Sequence, residues 1–326
     1  MSELRLNAAT GDWVLVASER GDRPHASRAD GERPRAPEYE KNCPFCPGNK
    51  DETPHFQIPL PDSGFVRVLP NKFPAVSADL VPKPNASLFE RNMPAGGRHD
   101  VIIDNPRHNF RFAEGSEPEL HTVVRAWRER YRQLASDPHT RHVVVFKNYG
   151  AGAGSSLPHP HSQIVSLPVL PSQVRLRVET AMNISNTLGR CVFCCMLEHE
   201  QEAEIRVVET NNSFTAFVPY AAFSPFSVWI LPHRHCCDFS HLDDAELADL
   251  SKILHSTMRR LSKSLGNPDY NLVIRSAVSA TVGEDYFHWY ISIVPRLQKA
   301  AGFELGTGMF INTSLPEEDA AFLREH

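Results

Sequence analysis

The sequence predicts an α+β fold laid out in two similar halves. Three observations lead there. A Cys-x-x-Cys pair occurs twice, as Cys43-Pro-Phe-Cys46 and Cys191-Val-Phe-Cys194. Each pair is followed by the same succession: an apolar stretch ending in histidine, an amphipathic helical segment, a β-branched strand and a second histidine. The histidine spacings agree, 51 positions from His108 to His159 and 53 from His235 to His288.

Each element has its own local cause. In the first half, residues 100–108 carry the apolar run Val-Ile-Ile before His108. Leu120, Val123, Val124, Trp127, Tyr131 and Leu134 then recur at helical spacing, which gives one apolar helix face. The charged run Trp127-Arg-Glu-Arg-Tyr-Arg is expected to be solvated. A β-branched strand follows at 142–148. In the second half, the apolar run 226–235 ends in His235. Leu247, Leu250, Ile253, Leu254, Met258, Leu261 and Leu265 mark a helix, and 270–274 a strand. Residues 20–62, rich in Pro, Arg, Glu and Asp, read as loops. Pro168-Val-Leu-Pro171 is the expected junction, which sets a first domain at 1–172 and a second at 173–326.

Bulk composition narrows the function classes. The chain has 326 residues and a net charge of −5, with 41% hydrophobic and 22% charged residues. A general nucleic-acid binder carries a basic excess, and this chain does not. No apolar run approaches the roughly 20 residues that span a bilayer. The N-terminus shows no apolar signal core, so a cytoplasmic location is expected. Four of the seven cysteines fall in the two pairs, a metal-ligand spacing rather than a disulfide framework. Cys195, Cys236 and Cys237 are expected to be buried or spare thiols.

The chemistry concentrates in two places. Zinc takes thiolates and imidazoles in a tetrahedron. Cys43, Cys46, His108 and His159 supply one such set, and Cys191, Cys194, His235 and His288 a second. Both are expected to be structural. The other place is Leu157-Pro-His159-Pro-His161-Ser-Gln163, which follows the small-residue loop Gly150-Ala-Gly-Ala-Gly-Ser-Ser156. If 159–163 run as a strand, His159, His161 and Gln163 share a face. His159 then reaches back to the metal while His161 projects toward substrate. A neutral imidazole is a competent nucleophile near pH 7. An anionic phosphate beside it needs donors: the loop amides, the Ser155 and Ser156 hydroxyls, and the amides of Asn148 and Gln163. The loop lacks the Gly-Lys-Ser/Thr ending of a Walker A sequence. In the second half Tyr290 stands where His161 would be, so that half is expected to keep the metal and lack the chemistry.

At these residues the chain resembles the galactose-1-phosphate uridylyltransferase family, a branch of the histidine-triad superfamily. The resemblance spans nearly the whole length. It includes Thr10-Gly-Asp-Trp-Val-Leu-Val-Ala, Arg20-x-x-Arg23-Pro24, Cys43-Pro-Phe-Cys-Pro-Gly48, Pro70-Asn-Lys-Phe-Pro-Ala75, Phe146-Lys-Asn, His-Pro-His-Ser-Gln and Phe303-Glu-Leu-Gly-Thr-Gly308. It implies two histidine-triad-like halves, each an antiparallel sheet with packed helices, usually paired as a homodimer. It also implies ping-pong transfer. His161 attacks the α-phosphorus of UDP-glucose, glucose 1-phosphate leaves, and galactose 1-phosphate takes the uridylyl group. Gln163, Asn148 and Ser156 match phosphate-contacting positions, and Arg20, Arg23 and Asn71 nucleotide-contacting ones.

Two departures point to a narrower branch. Cys191 and Cys194 stand where the better-studied galactose enzymes use a carboxylate and histidines. Gly306-Thr-Gly308 stands where those enzymes carry Gly-Tyr-Glu. Both resemble the plant-type branch that includes ADP-glucose phosphorylase, which works through an adenylyl-histidine. Uridylyl transfer is therefore the leading expectation. Adenylyl transfer or phosphorolysis is the alternative, and a zinc-stabilised binding module without turnover the third. The expected ligands are a nucleotide sugar and a sugar 1-phosphate, with no nucleic acid and no membrane. Two zinc ions are expected, although iron can occupy the second kind of site.

Overall fold

A computed structural model of the chain describes residues 2–22, 35–49, 53–277 and 286–326. Strands β1 (Glu3–Leu6) and β2 (Trp13–Val16) form a hairpin. Then come β3 (Phe56–Pro59), β4 (Phe65–Pro70), the small pair β5 (Asn85–Ala86) and β6 (Arg91–Asn92), and β7 (His99–Ile103). Helix α1 (Glu117–Ala135) is followed by β8 (His142–Tyr149) and β9 (His161–Leu167). After α2 (Ser172–Leu188) and α3 (Val192–Ala203), the second half runs β10 (Val207–Thr210), β11 (Phe214–Phe217), β12 (Val228–Pro232), α4 (Asp244–Leu265), β13 (Tyr270–Arg275) and β14 (Tyr290–Pro295). Helix α5 (Gly302–Thr307), β15 (Phe310–Asn312) and α6 (Pro316–Arg324) end the chain.

The two expected sheets are one. Ten antiparallel strands run in the order β10-β11-β12-β14-β13-β8-β9-β7-β4-β3. The halves meet where β8 pairs β13, with Asn148 opposite Asn271. Strand registers carry the duplication to single residues. Gln163 faces Val101 on β7 and Phe146 on β8; Ser292 faces Trp229 on β12 and Val273 on β13. In this register His161 corresponds to Tyr290, Asn148 to Arg275 and Lys147 to Ile274.

Helices α1 and α4 pack side by side on one face of the sheet. Both start at a reciprocal cap, Ser116 with Glu119 and Asp243 with Glu246, which satisfies otherwise orphaned N–H groups. Their apolar stripes meet alternate residues of the central strands, including Val143, Val145, Ile164, Leu272, Ile274 and Ile291, in one core. On the other face, α2 and α3 cover the second half through Phe193, Trp229, Phe287 and Tyr290. Over the first half the cover is thinner, with Phe45 on Leu69, Val101 and Ile103. The His161 and Gln163 side chains lie on this side.

Two local expectations change. The charged run in α1 is only partly solvated: Arg132 is exposed and Glu129 half-buried. Arg128 and Arg130 are buried, and Arg130 pairs with the buried Asp100 at 2.7 Å. Arg128 donates to the Leu242 carbonyl and Arg132 to the Ser240 carbonyl, so this run ties α1 to the segment before α4. Strand β9 begins at His161, leaving His159 in the preceding turn. The N-terminal hairpin joins the end of the chain, where β15 pairs β2 in parallel and Arg5 bridges to Glu317 at 2.8 Å.

Candidate active site and metal centres

The first Cys/His set converges fully. Cys43, Cys46, His108 and His159 are all buried, and their ligand atoms lie within 4.8 Å of one another. The Cys46 sulfur is 3.5 Å from His108 Nδ1 and 3.6 Å from His159 Nδ1. Zn–S of about 2.3 Å and Zn–N of about 2.0–2.1 Å put S and N about 3.6 Å apart in a tetrahedron. The donor set therefore fits zinc. His159 Nε2–H donates to the Asn105 carbonyl at 2.9 Å, which turns Nδ1 toward the sulfurs. Burial pulls the His159 pKa down to about 3, so the ring is the neutral form that a metal requires.

The second set converges less completely. Cys191, Cys194 and His235 come together, with Cys194 Sγ 3.3 Å from His235 Nδ1. A hydrogen bond between the two thiols draws the Cys191 pKa down and pushes that of Cys194 up. His288 does not reach ligand spacing, contrary to the four-ligand expectation. Its ring lies beside that of His235, 5.5 Å between centroids, but Nδ1 is held by the Trp289 carbonyl at 2.9 Å. Its Nε2 is buried without a partner. An orphaned nitrogen next to three ligands fits a fourth coordination position reached by a small ring movement. The two sites otherwise match: Phe45 lies 6.0 Å from His159, and Phe193 6.4 Å from His288.

The turn into β9 orients His161. Its Nδ1–H donates to the His159 carbonyl at 2.8 Å, the tautomer that this acceptor dictates. No protein group among the described residues hydrogen-bonds Nε2. Burial pushes the imidazole pKa below its usual range, while the bond to the His159 carbonyl opposes the shift. The ring is therefore neutral at pH 7 with its Nε2 lone pair available. Phe45 packs edge-on against it, 5.4 Å between centroids. In the second half Tyr290 holds the same place against Phe193 at 5.6 Å, and Trp229 closes over it at 4.3 Å. An aromatic stack fills the position that His161 holds in the first half.

The surrounding donors are held by residues that carry no local signature. His99 Nδ1 accepts from the Ala75 amide at 3.0 Å, so its Nε2–H donates to Gln163 Oε1 at 2.9 Å. Gln163 is thereby left with its –NH2 end free for an anion. Asn71 Oδ1 accepts from the Phe73 amide at 2.9 Å. Asn271 Nδ2 donates to Asn148 Oδ1 at 2.8 Å and to the Ala153 carbonyl at 2.9 Å, fixing both the amide and the loop. Within the loop, Gly150 and Gly154 take φ of 85° and 83°, a region that favours glycine. The Ser155 hydroxyl donates to Leu157 O and so braces the loop, whereas Ser156 is exposed. Both serines line a cavity of about 400 Å³ with His108, Arg111 and Tyr149. Arg20 sits half-buried in a short turn after β2 with no bond to this group, and Arg23 lies outside the described residues.

Sequence comparison decides the lineage. The family model "Galactose-1-phosphate uridyl transferase, N-terminal domain" matches residues 1–171, and its C-terminal counterpart residues 142–323. The chain belongs to the galactose-1-phosphate uridylyltransferase family. It is 33% identical to the ADP-glucose phosphorylase of Arabidopsis thaliana, over 99% of this chain and 92% of that one. It is 28% identical to the galactose-1-phosphate uridylyltransferase of Thermotoga maritima, over 100% and 98%. The crystal structure of the Arabidopsis thaliana ADP-glucose phosphorylase with bound ADP-glucose superimposes with a TM-score of 0.84 at 30% identity, covering 100% of this chain and 99% of that one. A uridylyltransferase structure gives 0.77 at 31% identity, covering 100% and 98%. Within this uridylyltransferase family, the chain keeps the nucleophile candidate in one half and the aromatic stack in the other.

Proposed function

We propose that the chain is a nucleotidylyltransferase that moves UMP between UDP-glucose and a hexose 1-phosphate through a covalent nucleotidyl-His161. His161 Nε2 attacks the α-phosphorus. The bond from that phosphorus to the bridging oxygen breaks, and glucose 1-phosphate departs with the electron pair. A phosphate oxygen of the second sugar phosphate then attacks the same phosphorus, and the imidazole leaves neutral. The free –NH2 groups of Gln163 and Asn148 meet the charge that develops on the phosphoryl oxygens, while the amides of Gly152, Ala153, Gly154 and Ser155 are spent on the loop's own hydrogen bonds. One observation carries the proposal: His161 donates through Nδ1 to its own chain, which leaves Nε2 as the reactive nitrogen.

A second nucleotide deserves equal testing. The 33% identity to an ADP-glucose phosphorylase supports AMP as the carried group and inorganic phosphate as the acceptor. Gly306-Thr-Gly308 and Cys191/Cys194 support it as well. The test is trapping with UDP-glucose and with ADP-glucose, each labelled at the α-phosphate. The expected result is an acid-labile, base-stable adduct on His161, absent in His161→Ala. The labelled nucleotide identifies the base. No adduct with either, in a folded metal-loaded protein, would leave only a binding role.

Zinc at the two Cys/His sets is part of the same proposal. When bound it braces the turn that carries His161 and the start of α3. Residues 1–172 hold the chemistry and 173–326 serve as its scaffold. The setting proposed is a cytoplasmic homodimer. The support is the unpaired state of all seven cysteines and the exposure of Phe73, Leu88 and Phe89. No described helix is long and apolar enough to cross a membrane.

A further inference from the structure

A charged cluster lies directly beneath His161, on the core side of the sheet, and no step above uses it. Lys147 on β8 donates through Nζ to Asp104 Oδ2 at 2.6 Å. The same ammonium donates to the His161 carbonyl at 3.2 Å. The other Asp104 oxygen accepts from Ser162 Oγ at 2.8 Å. The Asp104 amide donates to the Pro160 carbonyl at 3.1 Å, and the next carbonyl, of Asn105, holds His159. Both Lys147 and Asp104 are buried, with side-chain exposures of 2% and 0%. The ammonium also rests over the Phe112 ring, 4.7 Å from its centroid.

A buried ion pair is weak evidence for stability, because desolvation offsets much of its Coulombic gain. The second half of the chain supplies an internal control. By the strand registers, Lys147 corresponds to Ile274, Asp104 to Pro232 and Ser162 to Ile291. These three residues are buried and apolar, and the same strands close around them. The fold therefore does not need charge at these positions. The half that has the charges also has His161; the half that lacks them has Tyr290.

We propose that Lys147, Asp104 and Ser162 form a positioning network that pins the peptide groups on either side of His161 and so holds its imidazole in the attacking orientation. It rests on the assignment of His161 as nucleophile. The three grips fall on consecutive residues: the Pro160 carbonyl, the His161 carbonyl and the Ser162 hydroxyl. The ring's own bond runs to the His159 carbonyl, one residue before the first of them. With the backbone held at both ends of the turn, Nδ1–H keeps its acceptor and Nε2 keeps its direction. Without the grips, the turn can rotate and the ring can exchange tautomers.

The test is the double variant Lys147→Met/Asp104→Leu, which removes both charges and leaves none unpaired. In the zinc-loaded protein, single-turnover labelling of His161 is expected to slow at least 30-fold. The KM for the nucleotide sugar should stay within threefold and zinc content should not change. In nitrogen-15 spectra, His161 should pass from one Nδ1–H tautomer to a mixture. Labelling within threefold of wild type, or an unchanged tautomer, would overturn the proposal. If the double variant does not fold, Ser162→Ala decides, with labelling about fivefold slower expected and an unchanged rate contradicting. If wild type itself takes no label, the nucleophile assignment falls, and the tautomer measurement still decides whether the network orients the ring.

Discussion

Replacing Asn271 tests whether the second half of the chain tunes the chemistry of the first. Its Nδ2 donates two hydrogen bonds across the β8–β13 junction, to Asn148 Oδ1 and to the Ala153 carbonyl. Valine is the informative replacement, since Val144 holds the register-equivalent position in the first half and the strand tolerates it there. Asn271→Val removes both donors at little cost to strand propensity. Each lost bond is worth about 1 kcal/mol net, so about 2 kcal/mol is at stake. Expressed wholly in the transition state, that is about 30-fold in kcat/KM, since each 1.36 kcal/mol is a factor of ten. Asn148, freed to rotate, would offer its carbonyl to the phosphate as readily as its –NH2. Steady-state kinetics on the nucleotide sugar, with a thermal melt as control, measure the effect. A kcat/KM within twofold of wild type would refute the assignment of Asn271 as the group that orients Asn148.

Three further outcomes are expected. His99→Ala releases Gln163 Oε1 and should lower kcat about tenfold, the equivalent of about 1.4 kcal/mol, with zinc content unchanged; an unaltered kcat would remove His99 from the site. Cys43→Ala should lose one metal ion per chain and much of the thermal stability, because a structural site's binding energy is folding energy; metal analysis showing full content would sink the first site. Burial raises the Asp319 pKa from the usual aspartate value of 3.8 to about 6, while its carboxylate accepts from the Phe226 amide at 2.8 Å and from Ser314 at 2.7 Å. The folded state therefore holds this proton more tightly than the unfolded chain. Its contribution is fully present below about pH 4, is lost as pH rises to about 6, and totals about 3 kcal/mol. Asp319→Asn should gain stability relative to wild type across that window in paired urea titrations. A pH-independent difference would show that Asp319 ionises normally in the fold.

Much of the fold could be read locally. The stripes of α1 and α4, the strands at 142–148 and 270–274 and the repeated order all rest on periodicities within about twenty residues. The first metal set was legible because a Cys-x-x-Cys pair followed by two spaced histidines is a metal-ligand pattern. The run Trp127-Arg-Glu-Arg-Tyr-Arg misled because helical charge runs are usually solvated. In this protein α1 lies between the sheet and the segment before α4, and its arginines reach carbonyls and Asp100 there. His288 lies beside the His235 ring with Nδ1 on the Trp289 carbonyl and Nε2 outside the spacing of the other three ligands, a detail of ring placement that spacing in sequence does not carry.

Composition and spacing alone determined the duplicated α+β layout, the paired Cys/His sets, the His-Pro-His segment and the asymmetry between His161 and Tyr290. These are properties of the chain over short distances, where covalent geometry limits the choices. Tertiary structure decided which nitrogen of His161 is free, which end of Gln163 faces outward, and that Asp104, Lys147 and Ser162 meet under His161. Single polar residues in apolar strands leave no pattern in sequence. Their partners are set by the register of strands far apart in the chain, and in this protein one sheet carries that register from the first half into the second through β8 and β13.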